Sequence, residues 1–256
     1  MNVLDLQQVS FGVADKTLLS DLSLSVKEGQ RWAVLGRNGV GKTSLLHSIA
    51  GLHPIDHGSI NLLGNNLQQL SRREIAQRVG VLLQQQEQSF PALVRDLVEM
   101  GRHPHLTSWQ AANTQDKQAV DQAISELALN GLEDRDIQTL SGGEQRRVEI
   151  ATVFAQTPRL YLLDEPINHL DIAYQVDILQ RLKEKSELAK TAVIMVLHDI
   201  NMAAQFCDQC LLLFGEDSYL AGSSDALLTP SNLEKLYQQK FMQTEINGQP
   251  MFLPII

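Results

Sequence analysis

The chain has 256 residues, 43% hydrophobic and 20% charged, with a formal net charge of −9. The length suits one large domain or a core with an inserted subdomain, and the composition excludes a disordered chain. The acidic balance argues against a general grip on nucleic acid. No apolar run approaches the roughly 18–20 residues of a membrane span. Met1 to Ser10 lacks the basic-then-apolar pattern of a secretory signal. The expectation is a soluble, cytoplasmic chain whose membrane role comes only through a partner.

Val3 to Phe11 and Leu18 to Val26 alternate apolar and polar residues and read as a β-hairpin turning at Ala14-Asp15-Lys16. Arg31 to Leu35 reads as a buried strand, followed by a helix from about Gly41 to Ala50. Ser59 to Leu63 reads as a strand, with Gly64-Asn65-Asn66 as its turn. Ser71-Arg72-Arg73-Glu74 has the capping-box pattern that starts a short helix, and Val79 to Leu83 is an apolar strand.

From Gln85 to Gln156 strand signals stop and helical periodicity takes over, at Val94 to Met100, Asp116 to Leu129 and Glu144 to Ala155. Residues 85–156 are therefore expected to form an inserted helical subdomain, and 1–84 with 157–256 the core. Alternation then resumes. Strands are expected at Leu160 to Leu163, Ala192 to Leu197 and Leu211 to Phe214, and helices at Ile172 to Leu188 and Asn201 to Phe206. A last helix runs from Thr229-Pro230 to about Gln238. Strands separated by helices imply an α/β fold whose parallel sheet is covered on both faces. Cys207 and Cys210 are spaced C-x-x-C but lack two further ligands, so they read as two ordinary thiols.

Two glycine-rich turns carry the chemistry. Gly36-Arg37-Asn38-Gly39-Val40-Gly41-Lys42-Thr43 matches G-x-x-x-x-G-K-[ST] between a strand and a helix. There the backbone N–H groups and the helix N-terminus cradle phosphates, with Ser44 following in the first turn of the helix. Lys42 is expected to reach the β- and γ-phosphates and the Thr43 hydroxyl to ligate Mg²⁺. The strand Leu160 to Leu163 ends in Asp164-Glu165, at the sheet edge where open α/β folds bind ligands. Asp164 is expected to hold Mg²⁺ and Glu165 to polarise the attacking water. Ser141-Gly142-Gly143-Glu144 is the second turn, an N-cap with Glu three residues on and a second candidate anion site.

Leu140-Ser141-Gly142-Gly143-Glu144-Gln145-Arg146-Arg147 resembles the signature motif of ABC-type ATPases. The other parts of that family's pattern follow in order. Gln84 resembles the Q-loop glutamine, which the resemblance also makes a Mg²⁺ contact. Asn168-His169-Leu170-Asp171 resembles the D-loop, and His198 the switch histidine. The resemblance implies a phosphate-loop ATPase core, a mostly parallel sheet with an N-terminal antiparallel part. It implies ATP and Mg²⁺ as ligands, and a head-to-tail homodimer. Each ATP would lie between one chain's phosphate loop and the other's Ser141 turn. Catalytic roles fall on Glu165, His198 and Gln84. Two positions depart from the pattern: Val13 stands where the adenine-stacking ring is usual, with Phe11 two residues earlier, and Ile167 stands where threonine is common.

Three further stretches resemble the importer branch that serves vitamin B12, ferric siderophores and haem. They are Val94 to His105, Leu170 to Val176, and Leu228 through Tyr237. This implies polytopic permease partners, an indirect link to a solute-binding protein, a peripheral place on the cytoplasmic face of the membrane, and no nucleic acid. Phe90, Leu93, Leu97, Val98 and Met100 are expected at the permease groove, most of them also packing in the core, and the sequence leaves open whether Leu97 is exposed or core. An exporter or lipid-trafficking subunit, or a soluble ABC ATPase without a permease, stays open as an alternative.

Overall fold

The structure is a computed structural model that describes residues 1–13, 16–84, 91–106, 113–215 and 218–255. Strands β1 (Asn2–Val13) and β2 (Lys16–Lys27) form the expected hairpin, with Leu6 opposite Leu24 and Phe11 opposite Leu19. Strand β3 (Arg31–Gly36) is buried along its whole length and leads into α1 (Lys42–Ile49). Strand β4 (His57–Leu62) pairs with the free edge of β1. The segment expected as a turn at Gly64-Asn65-Asn66 includes a two-residue strand, β5 (Asn65–Asn66), because the asparagines fold back to pair with Asn61 and Leu62. Then come α2 (Arg72–Ala76), which carries the capping box at Ser71, and β6 (Val79–Leu82).

Three helices follow: α3 (Val94–Met100), α4 (Thr114–Glu126) and α5 (Gly142–Gln156). Alternation resumes with β7 (Leu160–Asp164), α6 (Ile172–Ala189), β8 (Ala192–Val196), α7 (Ile200–Phe206) and β9 (Gln209–Gly215). Strand β10 (Ser218–Ser223), α8 (Ser224–Leu227), α9 (Pro230–Tyr237) and the hairpin β11 (Phe241–Ile246) with β12 (Gln249–Pro254) end the described chain.

The first sheet has the order β2-β1-β4-β5 and the second β10-β9-β3-β8-β7-β6. The five strands from β9 to β6 run parallel, and β10 closes one edge antiparallel. Period-two alternation divides this sheet's residues between two cores. Trp32, Val34, Leu162 and Ile194 face α1 and the N-terminal sheet, whereas Ala33, Leu35, Leu163 and Met195 face α5, α6 and α7. Each such buried aliphatic side chain contributes roughly 1.5–3 kcal/mol.

Helices α3 and α5 approach so closely that a Cβ on Gly101 would sit 2.1 Å from the Thr152 carbonyl oxygen. Arg102 and Asp116 form an ion pair at 2.9 Å inside this helical cluster, and Arg102 also donates to the carbonyls of Ala155 and Gln156 at the end of α5. The Val94 to Met100 stretch divides between core and surface. Val98 is fully buried and Leu97 is half-buried against the core, because α3 turns that face onto α5; Leu93 and Met100 are exposed. Phe90 lies outside the described residues. Both thiols are buried, and burial pushes Cys210 up to about 11.

Candidate nucleotide site

The phosphate loop hangs between β3 and α1. Gly41 caps α1 at φ +102°, a left-handed conformation, and a Cβ there would lie 3.1 Å from the Leu18 Cβ. Glycine meets both demands at once. Arg37, Asn38 and Gly39 are exposed, Val40, Thr43 and Ser44 are half-buried, and Lys42 is buried. Lys42 Nζ folds over the loop and donates to the carbonyls of Gly36 at 2.8 Å and Arg37 at 3.0 Å. Burial lowers the Lys42 pKa, with Glu165 and Asp164 opposing it. A cation held this way is ready to trade carbonyl oxygens for phosphate oxygens.

Strand β7 neighbours β8, which in turn pairs with β3, so its carboxylates reach the same sheet edge. Thr43 Oγ1 donates to Asp164 Oδ2 at 2.6 Å. The other oxygen, Asp164 Oδ1, is buried and has no hydrogen-bond partner among the described residues. Desolvation raises the Asp164 pKa against the Thr43 hydrogen bond. A buried acceptor without a donor, beside a hydroxyl oxygen, fits a hard cation that takes oxygen ligands.

Glu165 sits at φ +50°. A non-glycine residue in that region costs about 1–2 kcal/mol, so its neighbours must hold it there. Its side chain is fixed at both oxygens: Oε1 meets His198 Nε2 at 2.6 Å, and Oε2 accepts from Asn168 Nδ2 at 2.5 Å. The structure therefore brings Lys42, Thr43, Asp164, Glu165, Asn168 and His198 together. Gln84 is exposed just beyond β6, and no described hydrogen bond holds it.

The Ser141 turn stands apart. Among the described residues no hydrogen bond joins 36–44 to 141–144. Ser141 caps α5, and Glu144 answers with a full capping box that includes Ser141 N to Glu144 Oε2 at 2.8 Å. These bonds hold the Glu144 carboxyl below its usual range. Ser141 and Gly142 are exposed, and a Cβ on Gly142 would meet nothing within 4 Å.

Arg146 is the residue that sequence reading passed over. It lies on α5 with 1% exposure, yet donates to both ends of the site. Its partners are the carbonyls of Leu83, Asp164, Glu165 and Pro166 and the Glu149 carboxylate. Arginine near a helix start normally reads as solvated, so only the packing gives it away. Phe11 does not reach this site, because at 1% exposure it is sealed in the N-terminal core beneath Gly41. The Val13 side chain lies outside what the structure describes. Ile167 is buried in the core. Tyr174 packs its ring 4.3 Å from the Arg147 guanidinium, joining α6 to α5.

A phosphate loop, an acidic strand end and helices inserted between β6 and β7 define a phosphate-loop nucleotide-binding protein. The ABC transporter family profile matches residues 19–168. The iron(3+)-hydroxamate import ATP-binding protein FhuC of Bacillus subtilis is 32% identical over 93% of this chain and 88% of its own length. The hemin import ATP-binding protein HmuV of Hydrogenovibrio crunogenus is 37% identical over 93% of this chain and 94% of its own. Among solved structures, a chain described as a metal-chelate type ABC transporter in an inward-facing conformation superposes with a TM-score of 0.86. It is 27% identical and covers 100% of this chain and 98% of that one. The protein belongs to the ABC transporter family and is its ATP-binding, ATP-hydrolysing component. Among the described residues no helix is long and apolar enough to cross a membrane.

Proposed function

We propose that this ATPase powers import of a large metal-chelate solute of the ferric-siderophore, haem or cobalamin class. The named functions of its relatives support that class, including FhuC, HmuV and the 31% identical cobalamin import ATP-binding protein BtuD of Halobacterium salinarum. It works at the cytoplasmic face of the membrane, peripherally, against permease subunits. Residues 1–84 and 157–256 act as the ATP-binding core and 85–156 as the helical unit.

ATP binds along Gly36 to Ser44, with Lys42 on its terminal phosphates. The Ser141-Gly142-Gly143-Glu144 turn of a second copy, docked head to tail, covers it. Thr43 and Asp164, with Gln84, hold Mg²⁺, which when bound offsets the phosphate charge. Glu165 accepts a proton from the attacking water, and His198 and Asn168 keep that carboxylate aimed. The carrying observation is the Glu165 carboxylate held at both oxygens beside the Thr43–Asp164 pair. Closure reshapes the groove between Gln84 and Met100, where permease helices dock.

Glu165→Gln tests the chemistry. It should keep ATP affinity and lose turnover by about 10²–10⁴-fold, and it should sediment as an ATP-dependent dimer. Near-normal hydrolysis would remove Glu165 from the role. Met100 is 64% exposed, so Met100→Asp should leave basal hydrolysis unchanged while uptake in vesicles carrying the permease falls. Unchanged uptake would place the docking surface elsewhere.

A further inference from the structure

We infer that Arg146 is a positioning residue that holds the Glu165 turn in its working conformation and ties that turn to the segment entering Gln84. The inference rests on the reading of Glu165 as the group that activates water.

A guanidinium offers five N–H donors in a fixed planar fork. Arg146 spends them on two separate loops. Toward the end of β7 it donates to three consecutive carbonyls: Asp164 at 2.9 Å, Glu165 at 2.8 Å and Pro166 at 3.3 Å. Toward the end of β6 it donates to Leu83 at 3.2 Å, one residue before Gln84. The remaining contact, Glu149 Oε2 at 2.7 Å, balances the buried charge.

The turn that holds Glu165 at φ +50° presents three consecutive carbonyls to one guanidinium. Arg146 therefore stabilises the conformation that points the Glu165 side chain at His198 and Asn168. Arg146 lies on α5, whose N-cap is Ser141, so one buried side chain joins the signature helix, the Glu165 turn and the Gln84 segment. Its contacts with Asp164 and Glu165 are to backbone carbonyls and leave both carboxylates untouched, so its effect runs through the placing of the Glu165 turn and of the Gln84 segment.

Arg102 supplies the control. It too is a buried arginine in the helical cluster, but it braces the far end of α5 through Ala155 and Gln156 and contacts neither Glu165 nor Gln84. A residue that is merely structural should behave like Arg102.

The test uses the full chain, with ATP affinity, kcat and melting temperature measured for each variant. Arg146→Gln keeps ATP affinity within about threefold and lowers kcat by about a hundredfold, the order expected when a reacting group moves by about 1 Å. Arg102→Gln lowers the melting temperature but leaves kcat per folded protein unchanged. On a Glu165→Gln background, Arg146→Gln adds little further loss in single-turnover hydrolysis, since both act on one step. Should Arg146→Gln not fold, Arg146→Lys keeps the charge opposite Glu149 with fewer donors, and its kcat falls at unchanged ATP affinity. A kcat loss no larger than that of Arg102→Gln, a full multiplicative loss on the Glu165→Gln background, or a wild-type kcat in Arg146→Lys would each overturn the inference. Wild-type turnover in Glu165→Gln alone overturns instead the base assignment beneath it.

Discussion

The two glycine turns differ in how much of their surroundings each finds within its own chain. The phosphate loop is walled by its own sheet: Lys42 is bonded to the loop carbonyls, Thr43 to Asp164, and Gly41 lies against Leu18. The Ser141 turn is satisfied locally by Glu144 but faces outward, with no neighbour at Gly142. One is a complete cradle. The other is a capped turn that meets no phosphate-loop residue of its own chain among the described residues. The same residue type thus serves strain in one place and clearance in the other.

If the second turn works in trans, the largest effect comes from mixing chains. On the Glu165→Gln background, Lys42→Ala should weaken ATP binding about tenfold or more, since hydrogen bonds to charged groups contribute roughly 1.5–3 kcal/mol. Ser141→Arg should bind ATP but not pair. Mixed together, the two should recover ATP-dependent pairing in sedimentation, because one composite site in the mixed dimer is intact. No recovery with both variants folded would return the two turns to independent roles.

A smaller effect separates strain from clearance. Gly41→Ala should lower stability by about 1–3 kcal/mol, because φ +102° and the Leu18 contact both oppose a side chain. Gly142→Ala should change stability by no more than about 0.5 kcal/mol, yet weaken ATP-dependent pairing. Thermal melting with sedimentation checks both, and a large melting shift in Gly142→Ala would erase the contrast.

The smallest effect concerns Asp164 and reads the completeness of the first turn. Its folded pKa is raised, so the folded state binds the proton more tightly than the unfolded chain does. This part of the stability is full below the ordinary carboxylate value and is lost as pH rises through the raised one. Asp164→Asn should therefore melt higher than the wild type at neutral pH without nucleotide, and the gap should close toward acid pH. With Mg²⁺ and ATP the order should reverse. A variant that melts lower at neutral pH without ligand would mean the carboxylate is already balanced within the chain.

Much of this was legible because apolar spacing and motif spacing agree. β3, α1, β7 and β8 fall within a residue or two of expectation, and the capping boxes at Ser71 and Ser141 are where their Ser-x-x-Glu patterns put them. Strands β10, β11 and β12 were not legible. β11 has no buried residue and β10 alternates only between exposed and half-buried positions, so neither shows an apolar period. The last hairpin is tied down by Phe241 against Tyr237 and by buried Phe252, whose backbone N–H and carbonyl both pair with the Asn201 side chain, contacts no local pattern announces. The left-handed Glu165 and the Arg146 that holds it were hidden for the same reason: both arise only where distant segments meet.

The order of strands in the second sheet also bears on synthesis. Strand β3, which carries the phosphate loop, is flanked by β8 and β9, with Arg31 paired to Val193 and Ala33 to Cys210. Both neighbours emerge from the ribosome long after the loop has left it. Until then β3 has two open edges, and the Thr43–Asp164 bond has no acceptor before β7 is made. Such distant pairings are slow to close and expose strand edges while they wait. An N-terminal fragment ending before Ala192 therefore carries the whole phosphate-loop sequence, with Leu18 against Gly41, but without either strand that flanks β3.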